Sequence, residues 1–518
     1  MDSYEIDMKR RQLLLGALAA GAGGLLPWER ALAQGHPADQ VLNIAYISDV
    51  PTWDPTAITV PQAQSIYTTV FDSPLRYSPK LVLEGRQISA WKWQDKNAQR
   101  LEVTLRDDIL FHDGSKLTTA DLKYSLHDRP SADHKLAVGG MFQTLKDVEI
   151  VSPTRAVLVY SKPTPAAPIY LAFLAGYIVP KAYIEKVGMD GFLAKPVGAG
   201  PYRLVDYQRG SRIVLEAFDK YWGGTPAIRH VTFEVATEPS ARVAAVESGR
   251  AGVAVQIPLR EAQRLASVPG ITTKIYPYSE IYMLRMPNYV KPFDDENVRA
   301  AMHYAIDTAA LSKAFYGGIA RPLSVTATPG SAADVPGFRF PYDPQRAIAA
   351  LAKSGYGPNK PVRVPFLTTN GTFPSDYDMA RAIAGMWQRV GIQADLTQTT
   401  MAKVISEIQA TKMSGVLLYS WANATGDPEN YTGRILDPRL RFSAWKDDAL
   451  APRVEALMTE VDEDKRMAGY RALSQEASEK SWVVPLLQAV TTIAYRSDVD
   501  VKIFDSGYIL PVDYRLKG

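Results

Sequence analysis

Two periodicities alternate along the chain. Leu42-Ile44-Tyr46, Leu101-Val103-Leu105, Ile213-Leu215-Ala217 and Val231-Phe233-Val235 place apolar residues at every second position, as half-buried strands do. Between Asp294 and Phe315 the spacing turns helical. Val298, Met302, Ala305 and Ile306 share one face, Asp294 and Asp295 can cap the start, and Gly317-Gly318 can stop it. Further helices are expected from Ala380 to Val390, closed by Gly391, from Pro452 to Val461 and from Asp464 to Lys480. A strand, Ile392-Gln393-Ala394-Asp395-Leu396, follows the first of these. Mixed strands and helices over the whole length predict an α/β protein of several domains. Gly198-Ala199-Gly200-Pro201 and the stretch from Pro329 to Pro344 read as turns or surface loops.

The first residues break this rhythm. Lys9-Arg10-Arg11 precedes an apolar run from Leu13 to Leu26, and Ala31-Leu32-Ala33 precedes Gln34. A basic start, a mildly apolar centre and a small-x-small end predict an export signal over residues 1–33. The run is shorter than the ~20 residues that span a bilayer. Arg10-Arg11 ahead of Gln12-Leu13-Leu14-Leu15 resembles the twin-arginine type of signal. Asp2, Glu5 and Asp7 are unusual in such a segment, so Met1 and Met8 both stand as candidate starts. The expectation is a soluble, exported mature chain.

Composition narrows the chemistry. With 518 residues the chain is long enough for about two to four domains. Lys plus Arg number 58 against 55 Asp plus Glu, a formal charge of +3, too small to predict a nucleic-acid or anionic-membrane partner. Cysteine is absent, which excludes disulfides, a thiol nucleophile, Cys-type metal sites and a lipidated N-terminal Cys. None of the six histidines is paired at i+4, and His112 and His303 read as structural or surface residues. There is no HExxH, no GxSxG and no phosphate loop, and Gly198-Ala199-Gly200 is half of a dinucleotide fingerprint. Asp107-Asp108 and Asp294-Asp295 are adjacent pairs that suit turns and caps better than acid/base partners. No cofactor, metal or catalytic group is expected.

A series of motifs in fixed order carries a family likeness from about residue 42 to 510. It comprises Thr52-Trp53-Asp54-Pro55, the stretch Leu105 to Leu122 containing Phe111-His112-Asp113-Gly114, and Gly198-Ala199-Gly200-Pro201-Tyr202. Tyr221-Trp222-Gly223-Gly224, Arg242 to Gly249, and Pro292-Phe293-Asp294-Asp295 through Asp307 continue it. Together they resemble the large extracellular solute-binding proteins of ABC importers, the oligopeptide, dipeptide and nickel-binding family. We read the motifs themselves as fold-making and assign none of them to a site. The resemblance implies a two-lobed periplasmic-binding-protein fold of the large class II type, with an extra domain inserted in the first lobe. Carried onto this chain, the first lobe covers 42–71, 196–278 and 485–518, the extra domain 72–195, and the second lobe 279–484. The chain would cross between lobes near Tyr276-Pro277 and Pro485. The implied function is capture of a peptide-like or other small solute between the lobes and delivery to an ABC permease in the inner membrane. A monomer acting in the periplasm is expected.

In peptide-binding relatives a Trp-x-x-Asp segment supplies the aspartate that holds the ligand's ammonium. The matching stretch here runs from Tyr419 to Pro428; Trp421 is retained, and the aspartate position falls on Ala424. An ammonium buried without a carboxylate is costly, so this departure argues against ordinary peptides with a free amino group. Asp427, before Pro428, is a candidate replacement, although a structural turn is its simpler role. The basic pair expected ahead of the 380–390 helix reads Tyr377-Asp378 instead. Tyr419, Trp421, Ala422 and Asn423 can form an aromatic and amide wall. In the first lobe, Thr59 and Val60 occupy the stretch that pairs with an extended ligand through backbone groups. Unusual peptides or amino-acid derivatives, oligosaccharides and chelated metal remain as ligand classes. A secreted hydrolase acting on peptides or glycans is the alternative, though no nucleophile or carboxylate pair favours it.

Overall fold

The computed structural model describes residues 40–57, 61–172, 176–423 and 425–517. The export signal expected over 1–33 lies outside them. Among the described residues, ten strands form one sheet. Across it they run Ile392–Gln398, Val362–Thr368, Val416–Ala422, Ile271–Arg285, Val483–Arg496, Val253–Val255, Val41–Tyr46, His230–Val235, Arg212–Ala217 and Tyr202–Gln208. The strands expected from alternation are all here or in the smaller sheet, with most of their alternating apolar residues buried.

The two central strands, Ile271–Arg285 and Val483–Arg496, are far longer than their neighbours, with 15 and 14 residues. They pair antiparallel along their length, but the register shifts between Pro277 and Ile281 and again between Tyr282 and Met283. A bulge of this kind bends a strand and sharpens its twist. On one side of it Val41–Tyr46 runs parallel to both His230–Val235 and Val253–Val255. On the other, Val362–Thr368 runs parallel to Ile392–Gln398 and Val416–Ala422. Each side has its own apolar core. One gathers Ile44, Tyr67, Phe71, Tyr202 and Phe233, the other Tyr282, Met302, Phe366, Ile383 and Trp387.

A four-stranded sheet, Ile88–Trp93, Arg100–Leu105, Arg155–Tyr160 and Leu145–Ser152 in spatial order, has a third core around Leu101, Phe111, Leu122 and Leu158. Thr118 caps the helix Thr119–Lys123 reciprocally with Asp121, as the Thr-x-x-Asp spacing allows. His112 Nε2 is 3.0 Å from Gly200 O and its Nδ1 accepts from Gly198 N, so the Asp113-Gly114 turn is tied to the Gly-Ala-Gly-Pro segment. The guanidiniums of Arg86 and Arg106 both stack on Trp222, and the Tyr221 hydroxyl donates to Asp72 at 2.7 Å. These motifs build the fold.

One expectation needs correction. The periodic stretch from Asp294 to Phe315 is two helices, Glu296–Tyr304 and Thr308–Tyr316. Asp295 caps the first, accepting from Asn297 N, and Asp307 starts the second by accepting from Ala310 N at 2.8 Å. The apolar face continues across the break, so periodicity alone could not show it. Gly317, left-handed at φ 59°, closes the second helix.

Candidate functional site

In open α/β sheets ligands bind beyond the carboxyl ends of the parallel strands. Here the ends of Val362–Thr368 and Val416–Ala422 lead into 369–378 and 423–434, beside the bulge of the long strand. Asn423 N donates to Ser279 O at 2.8 Å, the Ser279 hydroxyl donates to Asn423 O, and Ser279 N donates to Asp505 O at 2.7 Å. The Tyr278 ring packs on Gly507, where an added Cβ would approach its Cδ2 to 3.0 Å. The bulge is therefore a junction between the second core and the 505–508 loop near the C-terminus.

Two other contacts join residues far apart in the sequence. The Tyr170 hydroxyl donates to Glu429, and Lys162 pairs with Glu455. A small recess beside the first of these contacts is lined by Ile169, Tyr170, Thr425, Glu429, Asn430 and Arg434. Burial pushes the Glu429 carboxyl above its ordinary value, against the opposing pull of Arg466.

Of the residues singled out from sequence, Thr59, Val60 and Ala424 lie outside the described residues. Trp421 and Tyr419 are on one face of their strand and pack on the core formed by Ile281, Met283, Tyr431 and Trp482. Trp421 Nε1 donates to Asn430 O at 2.8 Å, and the buried Arg285 guanidinium sits 5.1 and 5.4 Å from the Tyr419 and Trp421 rings. Ala422 ends the strand, in register with Glu280. Asn423 is fully buried and organises the loop, accepting from Thr425 N and its hydroxyl while donating to Asp427 O. Both oxygens of Asp427 accept from Arg466, each at 2.8 Å. Asp427 thus has an internal cation.

Tyr377 is partly buried at the start of the helix Asp376–Gln388, and Asp378 points outward, 65% exposed and 3.7 Å from Arg381. The acidic residue turned inward is Asp376, which the sequence reading passed over. It accepts from Thr369 Oγ1, Gly371 N, Thr372 N and Tyr377 N, and so fastens the loop after Val362–Thr368. Also missed were Tyr170, Glu429, Tyr278 and Glu280. Glu280 alone left a signal: it is the one charge in the run Tyr276 to Leu284, which apart from Ser279 is aromatic and apolar.

Comparison with known proteins decides the family. The model of the bacterial extracellular solute-binding proteins, family 5 (middle region), matches residues 79–440. The chain belongs to this family. A glutathione-binding protein of Salmonella typhi is 27% identical over 401 residues, covering 74% of this chain and 75% of that one. One from Escherichia coli O6:K15:H31 is 26% identical over 464 residues, covering 86% and 88%. Two solved structures share the fold. A dipeptide-binding protein of Pseudoalteromonas sp. SM9913 in complex with Met-Leu superposes with a TM-score of 0.82 at 19% identity, over 92% of this chain and all of that one. MoaA of A. tumefacien R10 with mannopinic acid gives 0.79 at 21%, over 93% and 100%. This family-5 protein is thus a solute-binding component of an ABC importer with a two-lobed fold, and neither an enzyme nor the hydrolase of the alternative reading. Among the described residues no helix is long and apolar enough to cross a membrane.

Proposed function

We propose that this protein captures a small peptide-like or amino-acid-derived solute at the seam beside the Tyr278–Glu280 bulge and passes it to an inner-membrane ABC permease. The first lobe comprises 42–71, 196–278 and 485–518, with 72–195 as its extra domain, and 279–484 forms the second. The chain is exported by the twin-arginine type segment 1–33 and works in the periplasm as a monomer. The observation that carries the reading is the contact of Tyr170 with Glu429, two residues 259 apart in sequence and on opposite sides of the seam. Such a contact exists only when the halves approach, so a ligand that binds both halves favours it by its differential affinity. The relatives' ligands, a dipeptide, an opine acid and glutathione, share amino-acid chemistry, which supports the class.

A thermal-shift panel on the chain from Gln34 tests this, with peptides, opine-like conjugates and oligosaccharides. Ligand at a thousandfold its Kd adds about 4 kcal/mol of apparent stability. A rise in Tm with peptides or conjugates, accompanied by a smaller radius of gyration in solution scattering, is expected. A response to oligosaccharides alone would overturn the ligand class.

A further inference from the structure

The buried carboxylates of this protein come with partners. Asp427 has Arg466, Asp54 has Arg129 at 2.5 Å, Asp72 has Arg86, Asp437 has Arg439, and Asp376 has four donors. Glu280, half-buried, departs from this pattern. Its carboxylate accepts from the Tyr278 hydroxyl at 2.6 Å and has the Ser420 hydroxyl as its other donor. Among the described residues no Lys or Arg pairs with it.

Its surroundings are aromatic. Tyr282, Tyr316, Tyr419 and Tyr431 all stand close enough to feel its charge. Beside the same bulge Gln488, 8% exposed, donates Nε2 to Tyr278 O at 3.1 Å and leaves Oε1 without a partner. Glu280 is also in register with Ala422, the last residue of its neighbouring strand, so it lies at the carboxyl end where ligands are bound. Acceptor oxygens and ring faces with no internal cation suit one kind of guest. We propose that Glu280, Tyr278 and Gln488 form a subsite for a cationic group of the ligand, an ammonium or guanidinium.

A carboxylate partly removed from water and left without a counter-charge is expensive. An arriving cation offsets that cost, attracts the tyrosine rings, and gains from the low dielectric of the seam. The proposal rests on the reading of the ligand as peptide-like or amino-acid-derived.

The test is a cycle by titration calorimetry at pH 7 on wild type, Glu280→Gln and Tyr278→Phe. The probes are Met-Leu, glutathione and the N-acetyl form of each. A free-amino probe that binds wild type is expected to lose at least tenfold in affinity on acetylation and at least tenfold with Glu280→Gln. The acetylated probe should bind wild type and Glu280→Gln within about twofold, since the pair would already be broken. Circular dichroism checks the fold of each variant, and Tyr278→Phe runs the same cycle if Glu280→Gln does not fold. An equal loss for free and acetylated probes, or unchanged affinity in Glu280→Gln, overturns the subsite and leaves the ligand class standing. If none of the four probes binds wild type, the subsite is overturned, and the thermal-shift panel decides the ligand class separately.

Discussion

Tyr170→Phe removes one hydroxyl and nothing else, and that hydroxyl spans the seam. A hydrogen bond to a charged group contributes about 1.5–3 kcal/mol net. Glu429 keeps a second partner, since Arg466 Nη2 lies 3.3 Å from its other oxygen, which places the loss near the lower bound. At ~1.4 kcal/mol per factor of ten, the ratio of closed to open protein should fall about tenfold. Apparent affinity scales with the fraction of protein able to close, so Kd should weaken by about the same factor. Calorimetry with the ligand found by the panel reads the Kd, and scattering reads how far ligand compacts the chain. Tyr183→Phe is the control. Its hydroxyl donates to Lys195 O at 3.0 Å within one side of the seam, so its loss should leave Kd unchanged. The reasoning is refuted if Tyr170→Phe leaves both Kd and compaction unchanged, or if Tyr183→Phe weakens binding equally.

The other predictions concern stability. Asp427→Asn weakens the main partner of Arg466, a side chain only 5% exposed, and should cost about 3–5 kcal/mol in denaturant unfolding; a variant that loses ligand affinity with unaltered stability would show that Asp427 serves the ligand instead. Burial holds the His303 imidazole down to about 3, so between there and its unfolded value near 6.5 only the unfolded chain takes up the proton. Stability from this group is therefore complete above about pH 6.5 and falls with acid, by up to ~1.4 kcal/mol per pH unit; unfolding midpoints from pH 7 to 4 should fall less steeply in His303→Gln, and an identical slope would contradict the assignment. At Gly200 an added Cβ would meet Val70 C and O at 2.6 Å, backbone atoms that cannot swing away. Gly200→Ala should cost about 1–3 kcal/mol by thermal unfolding, and a neutral result would mean that the segment is looser than this packing.

What was readable in the sequence is what neighbours in the chain decide. Alternation located the strands, and short motifs in fixed order carried the family likeness, because each depends on a few consecutive residues. Phase was harder. Asp376 and Asp378 are two apart at the start of one helix, yet one fastens a loop with four hydrogen bonds and the other faces water. Two residues on a helix are about 200° of rotation, so an error of that size exchanges inside for outside. Partnership was harder still. Asp427 looks available until Arg466, 39 positions away, is brought to it. Glu280 shows in the sequence only as a charge in a mostly apolar run, and its lack of a cation appears only once the fold surrounds it with tyrosines. A free charge is defined by what fails to arrive beside it, and arrival is set by the register of strands hundreds of residues apart. Folding has matched Asp427, Asp72 and Asp54 with arginines from this chain, so their charges are already answered within the protein. Among the described residues Glu280 is a carboxylate beside the bulge with no cation of this chain to balance it, which is the property a receptor for a cationic solute needs.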